Sequence, residues 1–593
     1  MNILNDYGLF DCGRRTARLI TGWLAVTSAC GYARPDDVPE PGEAPLEVVF
    51  TEPAPNAAQV DLGARILVRF SRPVLASSLE LSLEAAGLPV EVGLDVVNRD
   101  TVELHPSATL AKGMPFTVKV RKATDLAGNG LATPYEYDFT SVATSCVRPG
   151  GEGGCFALLS TAVAASSDGE SIAVAAGTYM DNVRIDRTLH VLGGYDDTLS
   201  VRDPSAHLTT IRGKTRERAI IEIISVGAQA NATVLDGFTL TGNVFDDHGS
   251  GLRILSANPR VRNNVISGNT AFLLGGGVYV QEGKAHLARN RIEDNTTMGY
   301  GQGAGIAIEH ASVELIDNFV VNNRVPEDGF GGGVGIYGGS LVVLRDNRIE
   351  GNHAGSLGLA AHGGGLSVRG AKATIFGGSI LRNELVNAAG QGAAVYIGVE
   401  AGAASEVRFE GVIVRDNLAA PTGGAGGVHA VGSVVTLASS IIAGNRGSAG
   451  VALGPQGSYV IFHCTITGNT ARGVRSTQAG LAMANSLVLQ EPIGVEADQG
   501  AFTSNAFFAN DVNAMGVTPG SSNLSVDPKL DLELHLTADS PLIDKGRVGP
   551  LPDPQSGVGV DPPLTDVDGD PRALPGLHGG VALPDIGADE LRL

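Results

Sequence analysis

The hexapeptides Asn264-Val-Ile-Ser-Gly-Asn269, Asn290-Arg-Ile-Glu-Asp-Asn295 and Asn347-Arg-Ile-Glu-Gly-Asn352 repeat one pattern along this chain. Each ends in an asparagine, and an aliphatic residue stands three positions before it. Repeats of this length are typical of a solenoid, because one repeat cannot bury its own apolar face and must stack on its neighbours. The final asparagines recur every 24 to 34 residues, as Asn243, Asn269, Asn295, Asn323, Asn352, Asn383, Asn417, Asn445 and Asn469. The aliphatic residues are Leu240, Ile266, Ile292, Val320, Ile349, Ile380, Val414, Ile442 and Ile466.

Each repeat contains three short runs that favour β-strands. One follows a glycine-rich corner, as in Gly275-Gly-Gly-Val-Tyr-Val280, and one alternates apolar and polar residues, as in Ala285-His-Leu-Ala-Arg289. The third contains the aliphatic residue of the hexapeptide. No window sustains a helical period, and 81 glycines among 593 residues disfavour helices. The sequence therefore predicts an all-β protein whose main part, residues 142–525, is a right-handed parallel β-helix. About 14 coils would make a rod of roughly 65 Å.

The asparagine column has a structural explanation. Asparagine tolerates the left-handed backbone conformation that a corner requires. Its side-chain amide can also hydrogen-bond to the same residue one coil away, since stacked strands lie about 4.8 Å apart. We therefore expect these residues to form a buried ladder rather than a ligand-binding surface.

The first 30 residues resemble an export signal. Arg14, Arg15 and Arg18 precede an apolar stretch, Leu19–Ala29, that is too short to span a bilayer. Thr27-Ser-Ala-Cys30 resembles a bacterial lipobox, which implies lipidation of Cys30, although leucine is usual where Thr27 stands. Cleavage near the same place without lipidation is the alternative. Residues 31–45 are rich in proline and acids and are predicted to form an extended tether. We expect contact with the membrane only through this lipid.

Cysteine usage agrees with an exported protein. Cys146 and Cys155 bracket a short glycine-rich loop, so a disulfide could fix the entrance of the solenoid. A metal site at this pair is disfavoured, because no histidine or further cysteine stands nearby. Cys464 occupies the first position of a hexapeptide, equivalent to Asn290, and is predicted to be an inert buried thiol.

Residues 46–141 depart from the solenoid period and alternate in the manner of a small antiparallel sandwich. Val68-Arg-Phe-Ser-Arg-Pro-Val74, Leu110–Val118 and Asp125-Leu-Ala-Gly-Asn-Gly130 resemble the bacterial Ig-like modules of S-layer and surface proteins. The resemblance implies a small Ig-like β-sandwich that serves as a spacer.

Residues 526–593 resemble another family. Ser540-Pro-Leu-Ile-Asp-Lys-Gly546, Asp566-Val-Asp-Gly-Asp-Pro-Arg572 and Asp585-Ile-Gly-Ala-Asp-Glu590 follow one another as in β-helix surface proteins with a choice-of-anchor Q C-terminus. The resemblance implies a region that ends the solenoid and caps it. Asp566, Asp568 and Asp570 imitate a Ca²⁺ loop but lack the spacing of an EF-hand. No cofactor is predicted, and calcium stays a minor alternative.

Parallel β-helices with this pattern include pectate lyases, polygalacturonases and non-enzymatic adhesins, so the fold leaves the function open. Enzymes of this kind place paired carboxylates, or a cation beside a base, on an outward strand face. Such pairs are missing from the outward column that we predict after the glycine corners. The residues of this column are Arg253, Tyr279, Ala307, Gly335, Ser367, Tyr396, His429, Ala452 and Arg475.

Three groups are weaker candidates for ligand binding. Tyr279, Tyr396 and His429 could stack on sugar rings, although the pattern places them several coils apart. Asp246 and Asp247 precede a histidine in one corner, where they could bind metal or sugar or form a plain polar turn. His362, beside three glycines, could be catalytic but is better explained as a variant corner.

The net charge of −21 argues against nucleic acid or an anionic membrane surface as a partner. The sequence therefore favours an exported, lipid-anchored protein of the outer membrane or cell surface. It would contact polysaccharide or act in adhesion without a catalytic site. The alternative is a polysaccharide lyase or glycoside hydrolase acting on an acidic polysaccharide.

Overall fold

The computed structural model describes residues 45–591 except residues 59, 63, 127, 227–230, 300, 356–360, 387–388, 421–422 and 573–582. The predicted export signal, Cys30 and nearly all of the tether lie outside the described residues.

The N-terminal part is a sandwich of two antiparallel sheets, as predicted. Alternate side chains of both sheets form one apolar core, in which the rings of Phe116 and Phe139 stack with centroids 5.2 Å apart. A 3₁₀-helix spans Ala76–Ser78. One sheet contains Val48–Glu52, Ile66–Phe70, Val92–Asn98 and Thr101–Pro106. The other contains Glu80–Ala85, Leu88–Val90, Pro115–Lys122 and Tyr135–Thr140.

The rest of the chain winds into a parallel β-helix, whose successive coils contribute strands to three long sheets. The first sheet consists of Ser145–Val147, Ser171–Ala175, His190–Tyr195, Val234–Asp236, Arg260–Arg262, Lys284–Ala288, Ser312–Ile316, Leu341–Arg345, Lys372–Phe376, Glu406–Glu410, Val434–Ala438, Ser458–Phe462, Gly480–Ala484 and Ala501–Thr503. The second consists of Gly177–Met180, Thr209–Arg212, Phe238–Thr241, Val265–Ser267, Arg291–Glu293, Phe319–Val321, Arg348–Glu350, Ser379–Leu381, Ile413–Arg415, Ile441–Ala443, Thr465–Thr467, Leu487–Leu489 and Ala506–Phe508. The third consists of Val183–Ile185, Ile221–Ile224, Leu252–Leu255, Val278–Gln281, Ile306–Glu309, Val334–Tyr337, Leu366–Arg369, Val395–Gly398, Val428–Ala430, Val451–Leu453, Arg472–Ser476, Ile493–Ala497 and Val512–Met515.

A fourth, narrow sheet was not predicted. Its two-residue strands directly follow the ladder asparagines, where the sequence alone indicated only a turn. The strands are Val244–Phe245, Thr270–Ala271, Thr296–Thr297, Arg324–Val325, His353–Ala354, Glu384–Leu385 and Leu418–Ala419. A 3₁₀-helix at Pro149–Gly154 and an α-helix at Leu159–Ala165 precede the second coil. Leu159, Ala162 and Val163 pack on the apolar core and close its N-terminal end.

The predicted aliphatic column and asparagine ladder are both present. Leu240, Ile266 and Ile292 pair in register, and the column continues to Ile466 with every member at most 2% exposed. From Asn269 onward, each ladder asparagine accepts the backbone N–H of its counterpart one coil earlier. A second ladder joins Asn264, Asn290, Asn318 and Asn347.

The backbone explanation of the ladder is wrong in one respect. The residue with positive φ is the one before each ladder asparagine, such as Gly268 at 62° or Asp294 at 54°. The corner thus needs one left-handed residue, which is a glycine, aspartate or asparagine in every case but Arg382. The ladder asparagine itself contributes its side-chain amide.

The Ig-like sandwich packs against the side of the first coils. Ala86 of the sandwich is buried in one cluster with Ala173 and Leu192, which face outward from the first sheet. Arg289 and Glu136 form an ion pair across the junction, with Nη1 and Oε1 3.1 Å apart. The two parts therefore share a packed interface.

The C-terminal region lies along the outside of the last coils, whereas we predicted a cap at the open end. Ile586 packs on outward residues of the second sheet such as Leu487, and Leu551 packs on Phe462 of the first sheet. Leu551–Pro552 and Gly559–Val560 form a small hairpin. Val517, which precedes this region, packs on the core at the C-terminal end. The described residues contain no helix long and apolar enough to span a membrane.

Candidate functional site

The outward column that we predicted on the third sheet is in register. Arg253 pairs with Tyr279, and the pairing continues coil by coil through Tyr396 and His429 to Arg475. A second outward column, two residues further along each strand, was not predicted from the sequence. Its members are Leu255, Gln281, Glu309, Tyr337, Arg369 and Gly398.

Corner residues form a wall beside these columns. Leu274, Gln302, Phe330, His362 and Gln391 pair with one another from coil to coil, directly before the glycine corners. We call the space between this wall and the two outward columns the third-sheet groove. The side chains of the outward columns differ in their exposure to solvent. Tyr279 is 1% exposed, whereas Tyr396 and His429 are partly exposed.

The sharp corner depends on glycine. Gly331 has φ of 70°, and a Cβ atom there would lie 2.2 Å from the carbonyl oxygen of Val334. A side chain at this position is therefore excluded by both the backbone conformation and the space. The glycine lets Phe330 reach the outward columns from the corner.

Aromatic rings stack at one end of the groove. The ring centroids of His362 and Tyr396 are 4.6 Å apart, and those of Tyr396 and His429 are 6.0 Å apart. Phe330 stacks on His362 at 5.1 Å. Our placement of the three predicted aromatic residues several coils apart is thus wrong for Tyr396 and His429, which lie on adjacent coils. It holds for Tyr279, which is four strand pairings away from Tyr396.

Arg369 connects this aromatic end with the middle of the groove. Its guanidinium carbon lies 3.8 Å from the centroid of the Phe330 ring. Its Nη2 atom donates a hydrogen bond to Oε1 of Gln302 at 2.6 Å and lies 3.1 Å from Oε1 of Glu400. These contacts fix the cation against an aromatic face, a stabilising arrangement where water is partly excluded.

The other end of the groove is charged. Arg253 lies 3.2 Å from Oδ2 of Asp247 and 3.6 Å from Oε1 of Glu222. The Tyr279 hydroxyl donates to Oε2 of Glu309 at 2.6 Å, and the ring of His248 stacks on Tyr279 at 4.8 Å. Of the two predicted aspartates, only Asp247 takes part, since Asp246 is exposed on the turn.

Several polar atoms of the groove have no hydrogen-bond partner among the described residues. They are the hydroxyl of Tyr337, which is 3% exposed, and Oγ of Ser367, which is fully buried. Nε of Arg369 and Nδ1 of both His362 and His429 are also unpartnered within this part of the chain. Buried polar groups are nearly always hydrogen-bonded. These atoms are buried, so they lie beneath the surface of the groove rather than on it.

The histidines of the groove are neutral at pH 7. Burial, and then the nearby Arg369 cation, lowers the pKa of His362 to about 4. Burial, with His362 and Arg475 nearby, lowers the pKa of His429 to about 4. Burial raises the pKa of Tyr396, so its hydroxyl stays protonated. Each neutral imidazole offers one donor and one acceptor.

Other predicted positions lie outside the groove. Cys146 and Cys155 form a disulfide with Sγ atoms 2.11 Å apart. Cys464 is buried, and burial raises the pKa of its thiol to about 12. Of the calcium-like aspartates, Asp566 and Asp568 approach Asp589, with one oxygen from each within 4.8 Å of the others. The Oδ1 atom of Asp566 accepts the backbone N–H groups of Asp568 and Asp570, as expected of a turn.

Comparisons with known proteins support both parts of the fold. Residues 42–141 match the family described as bacterial Ig-like domain, and residues 220–373 match the family described as right handed beta helix region. The solenoid is a right-handed parallel β-helix. Among solved structures, this β-helix protein is similar to the crystal structure of pectate lyase Pel9A, with 13% sequence identity and a TM-score of 0.29. The similarity covers 76% of this chain and 97% of that chain. No curated protein matches the β-helix chain. The resemblance of residues 526–593 to choice-of-anchor Q proteins stays a prediction.

Proposed function

We propose that this protein is an exported, lipid-anchored surface protein whose third-sheet groove binds polysaccharide without cleaving it. The observation that carries the proposal is the partly exposed stack of Phe330, His362, Tyr396 and His429, which lies beside the polar side chains of Gln302 and Arg369. Ligand sites combine apolar and aromatic walls with a few placed polar groups. A sugar has the matching surface, because its ring presents C–H groups on its faces and hydroxyls around its edge.

The direction of the groove suits a chain molecule. Its columns cross one strand per coil, and paired strands lie about 4.8 Å apart. Similar groups therefore recur at short, regular intervals along the axis of the β-helix. A repeating ligand such as a polysaccharide can use several of these positions at once, which strengthens binding through linked contacts.

Two substitutions test this binding. We expect Tyr396→Ala and His429→Ala each to weaken binding of the recognised glycan about tenfold, the equivalent of about 1.4 kcal/mol. The glycan is identified by screening the purified protein on an array of neutral and acidic oligosaccharides. Phe376→Ala is the matched control, because Phe376 also stacks with an arginine, Arg345, but lies on the first sheet. Equal binding by all three variants would contradict the proposal.

The charged end of the groove supports the enzymatic alternative. Arg253 beside Asp247, and Tyr279 beside Glu309, bring a cation, a carboxylate and a hydroxyl close together. A lyase or hydrolase needs an acid and a base near one sugar bond. Assays for new reducing ends and unsaturated products on the same glycans separate the two functions. Product formation that is lost in Asp247→Asn would make the protein an enzyme.

The anchor rests on the sequence around Cys30 and is tested separately. We expect Cys30→Ser to move the protein from the detergent-soluble membrane fraction to the soluble fraction, because a lipid attached there would be its membrane contact. Cys464→Ser is a suitable control, since that thiol is buried. Unchanged fractionation of Cys30→Ser would favour a simple secretory signal.

A further inference from the structure

The outer face of the second sheet is open over a few coils only. At its N-terminal side, the cavity between the sandwich and the β-helix is lined by Phe139, Val265 and Arg291. At its C-terminal side, Val567 and Ala588 cover Ile441 and Ala443. The face between these two boundaries is solvent-accessible, and it lies on a different sheet from the third-sheet groove.

The outward residues of the second sheet differ between the coils that the C-terminal region covers and the open coils. Under the C-terminal region, the outward residues are apolar and buried, as Ile441 and Leu487 show. On the open coils, the same column contains Arg291, Phe319 and Arg348, which pair directly from strand to strand. The Phe319 ring is 46% exposed, so it presents an apolar surface to solvent between the two arginines.

Arginines surround this exposed ring. The side chains of Arg291 and Arg348 are 49% and 45% exposed. Because they lie two strands apart, roughly 9.6 Å separates their strand positions, with Phe319 between them. Arg382 follows on the next coil, and all four residues line one cavity of about 500 Å³.

The local charge is positive in a strongly acidic protein. Arg348 and Arg382 share the single carboxylate of Glu350, and Arg291 pairs with Glu293 at 2.6 Å. Among the charged residues that line this cavity, three are arginines and one, Glu350, is a carboxylate. Each guanidinium uses only part of its five donors in these pairs, so further N–H groups remain available to an anion.

We propose that this open face is a second binding site, which takes an anionic saccharide. A sugar ring stacks on Phe319, and its carboxylate or sulfate group accepts hydrogen bonds from Arg291 or Arg348. The two cations lie on either side of the ring, so a chain with repeated anionic groups engages both. Phe319 supplies the contact that a free inorganic anion lacks.

The test measures binding of oligogalacturonate, dextran sulfate and uncharged dextran to the full-length protein by calorimetry. We expect an anionic saccharide to bind and dextran to bind at least tenfold more weakly. Arg291→Gln and Arg348→Gln should each weaken anionic binding about tenfold, and Phe319→Ser should do so as well. Glu293→Gln should strengthen it, because it removes the carboxylate that competes for Arg291.

The controls separate this site from the third-sheet groove. Arg345→Gln alters an arginine and its aromatic neighbour on the first sheet, and it should leave anionic binding unchanged. The proposal is overturned if neither anionic saccharide binds, or if the Arg291, Phe319 and Arg348 variants bind as the parent does. Tyr396→Ala tests the groove instead: the proposal is also overturned if anionic binding is lost in Tyr396→Ala but kept in the Arg291, Phe319 and Arg348 variants. Binding of oligogalacturonate alone would indicate recognition of a carboxylate, and binding of dextran sulfate alone would indicate recognition of a sulfate.

Discussion

Asn323 uses its whole side-chain amide in the ladder. Its Oδ1 atom accepts the backbone N–H and the Nδ2–H of Asn295, both at 3.0 Å. Its Nδ2 atom donates to the carbonyl oxygen of Ile292 at 2.9 Å and to Oδ1 of Asn352 at 3.0 Å. Because Asn323 is fully buried, water cannot replace these partners.

We expect Asn323→Ala to lower the free energy of unfolding by about 3 kcal/mol, since it leaves several buried donors and acceptors without partners. Urea denaturation followed by circular dichroism measures the change. Asn258→Ala is the control, because the Asn258 side chain is only partly buried and accepts a single backbone N–H, from Lys284. Equal destabilisation by the two variants would contradict the structural role of the ladder.

Glu491 continues the ladder where asparagine would be expected. Its Oε1 atom accepts the backbone N–H and the Nδ2–H of Asn469, as the ladder asparagines do. Its Oε2 atom takes the place of the amide nitrogen but can donate only when protonated. The equivalent amides of Asn469 and Asn510 donate to the carbonyl oxygens of Ile442 and Val488. Oε2 itself is buried and has no partner among the described residues.

This arrangement predicts a pH-dependent stability. Burial raises the pKa of Glu491 from 4.5 to about 7. The folded state then binds the proton more tightly than the unfolded state. The contribution is therefore complete below pH 4.5 and is lost as the pH rises through about 7, a change of roughly 3 kcal/mol.

Glu491→Gln supplies a permanent amide and should abolish this part of the pH dependence. Thermal unfolding at pH 5 and pH 8 measures it, and Glu406→Gln, at an exposed position, is the control. If the parent and Glu491→Gln lose the same stability between the two pH values, the carboxyl of Glu491 is not the cause.

At the scale of the strand and the corner, the sequence predicted the register well. The column from Arg253 to Arg475 followed from the positions after the glycine corners, because a parallel β-helix stacks equivalent positions. The spacing could not tell that Tyr279 is covered, since His248 reaches it from a corner. It also missed Glu309 and Arg369, because only the first outward position of each strand was considered. Wall residues such as Phe330 lie in corners whose length varies from coil to coil. The regular repeat of the strands therefore does not predict their positions.

The C-terminal region is held in place by a buried arginine. Nη2 of Arg572 donates to Oγ of Ser439 at 3.0 Å and to the carbonyl oxygen of Ala588 at 2.6 Å. Its Nη1 atom lies 3.6 Å from Oε2 of Glu590, and the Arg572 side chain is 4% exposed. Arg572 thus links the coil that contains Ser439 to the C-terminal residues that cover it.

We expect Arg572→Gln to weaken this attachment by about 3 kcal/mol, because it leaves a buried carboxylate and several carbonyls without their cation. Limited proteolysis should then release fragments from the C-terminal region before the β-helix is cut. Arg547→Gln is the control, since the Arg547 side chain donates only to the nearby carbonyls of Gly549 and Pro550. Identical cleavage patterns for the two variants would show that Arg572 does not hold the region.

At the scale of the whole molecule, the surface of the β-helix is divided among its sheets. The sandwich covers the start of the first sheet, and the C-terminal region covers the last coils of the first and second sheets. The third-sheet groove and the face around Phe319 remain open. The repeats in the sequence predicted a long rod. They could not indicate which face is covered, because that depends on contacts between residues roughly 90 to 150 positions apart.

The position of the C-terminal region has a consequence for biosynthesis. Ala588 covers Ile441 and Ala443, so the apolar outer face of those coils has no cover until a segment about 145 residues later in the sequence has been made. A β-helix can begin to fold from its first coils as they emerge, since each coil contacts mainly its neighbours. Until then, leucine and isoleucine side chains on the outer face of the last coils are exposed to solvent, which favours aggregation. Protection of these coils from aggregation therefore depends on how soon the residues around Ala588 are made and pack on them.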